Sequence, residues 1–239
     1  MSLSKTSVVG CMAVLTLSLI ADDKPYAPKL AKASDEGEKA IKRFQLPDGF
    51  QAELVAAEPM LANPVAFCID EKGRFFVAET FRLHDGVSDN RHHMDWLVND
   101  IACMTIEDRI QYHREKLGAD FDQWATEHDR VRLVWDADGD GKADHDTVFS
   151  DGYNRLEDGL GSGVLAYRGN VYFTCIPDLW LLRDEDGDGK AEVKKSLQSG
   201  YGIRTSFIGH DLHGLVMGPD GKIYFSVGDR GMNVKTPSG

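Results

Sequence analysis

Val131-Arg-Leu-Val-Trp-Asp-Ala-Asp-Gly-Asp-Gly-Lys-Ala-Asp144 and Leu179-Trp-Leu-Leu-Arg-Asp-Glu-Asp-Gly-Asp-Gly-Lys-Ala-Glu192 align without a gap at a step of 48 residues. A fixed internal step means that one supersecondary unit is repeated, and each copy buries its apolar face against its neighbours. Each copy is a short apolar and β-branched run that ends on an Asp/Gly-rich turn, which reads as a strand and not a helix.

A second recurrence overlays the first. Leu215–Met217, the turn Gly218-Pro-Asp-Gly221 and Ile223–Val227 read as strand, turn and strand, since Pro presets φ and Gly221 supplies positive φ. The same plan recurs in Pro64–Glu79 and, with a tighter Arg168-Gly-Asn turn, in Gly163–Cys175. The turn glycines Gly73 and Gly169 are 96 residues apart, and Gly169 and Gly221 are 52 apart. The expectation is an all-β chain of the β-propeller type with units of about 50 residues. Hairpins are expected at Phe67–Ala78, Val164–Cys175 and Leu215–Val227.

The rest of the chain fits around these units. Lys5, the uncharged run Val8–Ile20 and Ala21-Asp-Asp describe an exported leader over residues 1–21. That run is short for a membrane span, and the implied destination is the periplasm or cell surface. Residues 22–43 read as a polar linker with a short helix near Glu36–Phe44. Residues 44–239 form the folded domain, opened by a Pro-Asp-Gly turn and an alternating strand up to Ala56. An insertion over about 82–130 interrupts the strands. Apolar spacing of three and four within Asp95–Gly118, with Thr105 as N-cap and Gly118 as stop, predicts helix there. A second short helix is expected in Phe121–His128, and the histidines of Arg91-His-His93 read as surface or structural.

The formal charge of −12, with 39 acids against 27 Lys and Arg, argues against a nucleic-acid or anionic-membrane partner. Much of the acidity lies in the two repeated loops, which points to cations. Asp136, Asp138, Asp140 and Asp144, and again Asp184, Asp186, Asp188 and Glu192, occupy positions 1, 3, 5 and 9 of a loop with Gly at 6. Calcium takes many oxygen ligands in irregular geometry and suits such a loop. Position 12 is Thr147 or Lys195 instead of Glu, and helices do not flank the loops. A solvated Asp/Gly hairpin tip is therefore the competing reading. Cys68, Cys103 and Cys175 allow at most one disulfide, and no Cys-x-x-Cys pair is present. Gly159-Leu-Gly-Ser-Gly163 leads into a strand and reads as a flexible turn, not a dinucleotide loop. Asp229 and Arg230 suggest a salt bridge across the last hairpin.

His210, eight residues before Gly218-Pro-Asp, together with Gly-Lys-Ile-Tyr-Phe-Ser-Val-Gly-Asp-Arg-Gly231, resembles the motif of the soluble quinoprotein glucose/sorbosone dehydrogenases. That resemblance implies a six-bladed propeller with pyrroloquinoline quinone (PQQ) on its axis. It also implies that His210, not His213, is the base that takes a sugar hydroxyl proton, with Asp211 or Asp229 as the residue that could orient its imidazole. Leu46-Pro-Asp-Gly-Phe50, Asp89-Asn-Arg-His-His-Met-Asp-Trp-Leu97, Val164–Trp180 and Ser206–Leu215 resemble the membrane-bound, haem-binding dehydrogenases of planctomycete-type bacteria. Those large exported proteins begin with this propeller and end in a cytochrome c module.

By that resemblance the chain carries about the first half of the propeller, as a fragment. The quinone-holding basic residues and the haem motif have no counterpart in it. The implied function is oxidation of a sugar or related alcohol, with hydride passing to a quinone and electrons to a cytochrome c. The alternative is a non-catalytic, calcium-stabilised propeller that binds carbohydrate or protein partners.

Overall fold

The computed structural model describes residues 26–236; the expected leader lies outside them. The chain is mostly β, with three antiparallel sheets and few helices. Sheet one runs β1 (Pro64–Ile69), β2 (Phe75–Glu79), β3 (Asp129–Trp135) and β4 (His145–Tyr153) in spatial order. Sheet two repeats that order with β5 (Gly161–Tyr167), β6 (Asn170–Cys175), β7 (Asp178–Arg183) and β8 (Val193–Ser199). Sheet three pairs β9 (Leu212–Met217) with β10 (Ile223–Val227). All three expected hairpins are present. No helix among the described residues is long and apolar enough to cross a membrane.

Turn chemistry sets the hairpins. In the first, Gly73 donates to the Asp70 carbonyl (3.1 Å) and takes φ +77°. In the third, Gly221 donates to the Gly218 carbonyl (3.0 Å) at the same φ. The second turns in two residues, Arg168 (φ +51°) and Gly169 (φ +76°), the left-handed pair that matches strand twist.

Sequential antiparallel order divides the connections between two ends. The hairpin turns and both acidic loops lie at one end. The insertion, residues 154–160, residues 200–211 and the chain after β10 lie at the other. The acidic loops and His210 are therefore at opposite ends of the strands.

The sheets pack face to face. Phe76, Ala78, Val131, Leu133 and Phe149 of sheet one meet Val164, Val171, Phe173 and Leu182 of sheet two. Each such large side chain contributes about 1.5–3 kcal/mol on burial. Ile176, Leu179, Tyr201 and Leu212 form the next boundary, with Phe225 and Val227 against it. The first strands adjoin in succession, β1 against β5 and β5 against β9. A Cβ on Gly161 would lie 2.6 Å from Phe173 Cζ, and one on Gly159 would lie 2.3 Å from Ile176 Cγ1. The Gly159–Gly163 stretch is thus no flexible turn. Gly161 already begins β5, and these glycines permit close approach.

Two local expectations change. Pro47–Phe50 makes a turn, but residues 51–57 form no strand, because no neighbouring strand lies beside them. In the insertion, α2 (Leu97–Ala102) and α3 (Ile106–Leu117) form as the spacing predicts, after the short linker helix α1 (Glu36–Ile41). Thr105 and Asp108 close a reciprocal capping box on α3. The expected second helix is a 3₁₀ helix over Gly118–Ala125, starting at the Gly118 that ends α3.

Candidate functional site

His210 stands just before β9, after Gly209 at φ +92°. Asp229 stands just after β10. The N–H of Gly228 donates to the His210 carbonyl at 3.2 Å, and a Cβ on Gly228 would lie 2.7 Å from His210 Cβ. Only glycine lets the two segments approach this closely. His210 Nδ1 then lies 2.8 Å from Asp229 Oδ1, with both side chains about half exposed (48% and 46%). An ionised carboxylate can only accept, so Nδ1 carries the proton and Nε2 presents its lone pair. An oriented imidazole with a free, basic nitrogen is the arrangement a general base requires.

The surroundings of the pair are aromatic and polar. The Phe207 ring lies edge-on to His210, with centroids 6.1 Å apart. The Arg91 guanidinium sits over Phe207 at 5.6 Å. Asp89 holds Arg91 through Nε (2.9 and 3.0 Å) and Nη2 (2.6 Å). Burial alone would raise the Asp89 pKa, but its bonds from the Arg91 side chain and backbone outweigh that and hold it at about 2. His93 stacks on Trp96 at 3.8 Å, a structural role as the sequence suggested.

The expected salt bridge across the last hairpin is formed, and each of Asp229 and Arg230 pairs with the segment before β9. Asp229 takes His210, and Arg230 Nη1 lies 2.7 Å from Asp211 Oδ1 with both side chains 1% exposed. Neighbouring residues on each segment thus face different ways, and the His210–Asp229 pair meets solvent while the Asp211–Arg230 pair lies inside.

Buried carboxylates that sequence alone does not single out tie the insertion to this end. Asp100 of α2 accepts from Asn90 Nδ2 (2.6 Å), Tyr112 OH (2.8 Å), Thr205 N (2.6 Å) and Ser206 N (2.9 Å). Arg82 is wholly buried and donates to the carbonyls of Gly86, Trp124, Arg155, Asp158 and Gly159. No local spacing marks such residues, because their partners lie tens of residues away.

His113 of α3 sits among Tyr112, Phe121 and Trp124, with Nε2 2.7 Å from Thr205 Oγ1 and no partner on Nδ1. Burial first, then the nearby cations Arg109, Arg230 and His93, holds its pKa well below the ordinary imidazole value. Unfolding frees His113 to bind a proton, so its contribution to stability is complete above about pH 6.5. That contribution is lost as pH falls from there towards the lower folded value, at up to about 1.4 kcal/mol per pH unit. Thermal melts between pH 7.5 and 5.0 should therefore fall more steeply for wild type than for His113→Gln. Parallel curves would exclude the linkage.

At the opposite end, both acidic loops fold alike. Asp136 accepts from Gly139 N (2.7 Å) and Gly141 N (2.8 Å); Asp184 accepts from Gly187 N (2.6 Å) and Gly189 N (3.0 Å). Asp184, Asp186, Asp188 and Glu192 bring one carboxylate oxygen each to within 4.8 Å of one another. In the first loop only Asp136, Asp138 and Asp140 do so. Asp144 accepts from Ala137 N (2.9 Å), as Glu192 does from Glu185 N (2.7 Å), and differs in also pairing with His145 Nδ1 (2.7 Å). The eighth loop residue makes a further repeated contact. Ala143 N donates to Val55 O, and Ala191 N donates to Phe149 O, both at 2.8 Å.

All three cysteines in the described residues are free thiols. A family model described as a domain of unknown function, DUF7133, matches residues 36–239. No curated protein and no solved structure matches the chain.

Proposed function

The chain belongs to the DUF7133 family, and we propose that it is an exported β-propeller dehydrogenase acting on a sugar or related alcohol, with His210 as general base. The observation that carries this reading is the His210–Asp229 pair, with Nε2 free at the end where the insertion and the entry to β9 meet. In the proposed step, Nε2 takes the substrate hydroxyl proton while the carbinol carbon passes its hydride to an external two-electron organic oxidant. The alcohol becomes the carbonyl and the oxidant, a role the dye fills in a dye-linked assay, is reduced. Asp229 stabilises the imidazolium that results. The half-buried Phe207 ring, edge-on to His210, would give a sugar ring an apolar contact beside the base.

The propeller geometry is supported by the adjoining first strands β1, β5 and β9 and by the repeated loop contact. The Ala143–Val55 bond matches the Ala191–Phe149 bond, so residues 51–57 lie against sheet one as β4 lies against sheet two. In a ring, residues 51–57 would be the outer strand of a further blade.

The resemblance also implies PQQ, which is a polycarboxylate and requires cations facing it. Among the described residues, Arg91 is claimed by Asp89, and Arg109 and Arg230 are buried. These residues fit the base and not a quinone cradle, so no step is derived through the quinone. A cytochrome c as final electron acceptor is likewise proposed on the resemblance alone. The test is dye-linked oxidation of aldoses and simple alcohols, with and without added PQQ and calcium. Substrate-dependent dye reduction is expected, and none at millimolar substrate with PQQ and calcium present would overturn the reading.

The acidic loops favour a second reading, a calcium-stabilised binding propeller. Calcium is expected to raise the melting temperature by mass action, with a stabilisation of about 2.7 kcal/mol at a hundredfold excess over Kd. Magnesium should do less, because it demands tighter octahedral geometry. Asp186→Asn should remove more of the shift than Asp138→Asn, because the second loop gathers the fuller ligand set. Calorimetric titration with no uptake at millimolar calcium would leave only a solvated turn.

A further inference from the structure

The segment after β10 is braced from two sides. From one side, Gly202 N donates to Gly231 O (2.8 Å), Arg204 N donates to Arg230 O (2.9 Å) and Ser206 Oγ donates to Asp229 O (3.0 Å). From the other side come Gly228 N to His210 O and the two side-chain pairs His210–Asp229 and Asp211–Arg230.

The inner pair has an unusual environment. The Asp211 carboxylate lies 2.7 Å from Arg230 Nη1 as a charge contact, and among the described residues neither of its oxygens nor that nitrogen makes a hydrogen bond. It reaches towards Gly159, where a Cβ would come within 3.4 Å of Asp211 Oδ1. Arg230 Nε reaches the Arg204 carbonyl at 3.3 Å. Taking two such charges out of water is costly, and without further hydrogen bonds the attraction between them offsets only part of that cost. A buried pair so placed adds little net stability, but it penalises any arrangement that separates its members. What it holds in register is residue 211 against residue 230, and hence residue 210 against residue 229.

We propose that Asp211 and Arg230 are positioning residues for the His210 base: their buried ion pair locks the two segments in the one register that brings Asp229 onto His210 Nδ1. This rests on the reading of His210 as a base, but the positioning can be measured without substrate. The exposed pair alone is half solvated, and screening by water leaves a surface ion pair of that kind weak. It cannot hold two loops by itself. The pair one residue further in is shielded from water and so resists separation.

The test is the tautomer of His210 in long-range ¹⁵N–¹H spectra of ¹⁵N-histidine-labelled protein. Wild type should show a protonated Nδ1 and an unprotonated Nε2, and Asp229→Asn should lose that preference. Asp211→Asn and the apolar double replacement Asp211→Leu with Arg230→Met should lose it too, with His213 signals unchanged. The double variant guards against misfolding, since replacing a buried pair by apolar groups of similar volume is often neutral. If either folded variant keeps the wild-type His210 tautomer, the positioning role is overturned. Loss of the tautomer with unchanged turnover would instead keep the positioning and sink the base reading, so the two fail separately.

Discussion

His210→Ala is expected to lower turnover by about 10²–10⁴-fold, the usual contribution of a positioned general base. The apparent KM should move far less, because a base acts mainly as the proton leaves and not when substrate binds. His213→Ala should be mild, since His213 lies within β9, opposite Ser226, and not in the pair with Asp229. Asp229→Asn should fall between them: the amide no longer stabilises a charged imidazole, and its NH₂ group can favour the other tautomer. These variants are compared by steady-state rates in the dye-linked assay, over a range of substrate concentration. A His210→Ala protein with wild-type turnover would make His210 structural and end the proposed mechanism.

Asp129→Ala should be the most damaging change to stability, by about 3–5 kcal/mol. Asp129 begins β3 and is wholly buried where sheet one, sheet two and the insertion meet. Its Oδ1 accepts from Thr80 Oγ1 (2.8 Å), Phe81 N (2.9 Å) and Arg82 N (3.2 Å), and its Oδ2 accepts from Gly161 N (2.7 Å). Burial pushes its pKa up, and the N–H groups of Gly161 and Phe81 oppose that. Alanine would leave these donors buried without acceptors, each worth about 1–3 kcal/mol, though not additively. Asp129→Asn should cost less, since one acceptor oxygen remains. Urea unfolding measures the difference, and a loss below about 1 kcal/mol would show that water replaces the carboxylate.

The hairpins were legible because their signals are local. Asp-x-x-Gly turns, β-branched runs and the 48-residue step act within a few residues or repeat visibly. The capping box at Thr105 was legible for the same reason, as Asp108 lies only three residues on. Residues 51–57 carry a strand pattern yet form none, because a strand is defined by a partner that the pattern does not supply. Sequence left Asp211 and Asp229 as equal candidates to orient His210, and only the closing of β9 against β10, across a separation of 19 residues, selects Asp229. Asp100, Asp129 and Arg82 were hidden for a different reason. Most of the groups that enclose them lie 32 to 106 residues away, and a single charged residue in sequence looks the same whether it is solvated or enclosed. The glycines at 159 and 161 misled, since close approach and flexibility call for the same residue.

Sheets one and two also differ at one equivalent connection. Between β6 and β7 the chain passes through Ile176 and Pro177, whereas between β2 and β3 it passes through residues 80–128. Both connections join ladders that are in register, Cys175 opposite Asp178 and Glu79 opposite Arg130. The same slot thus accepts a bare turn or a small helical module, because the entropy of closing a loop grows only slowly with its length. For inheritance this separates scaffold from chemistry. Substitutions, insertions or losses in that slot can reshape what surrounds His210 while the sheets that hold it are passed on unchanged. Relatives of this chain can therefore be expected to diverge first and furthest between the second and third strands of a sheet.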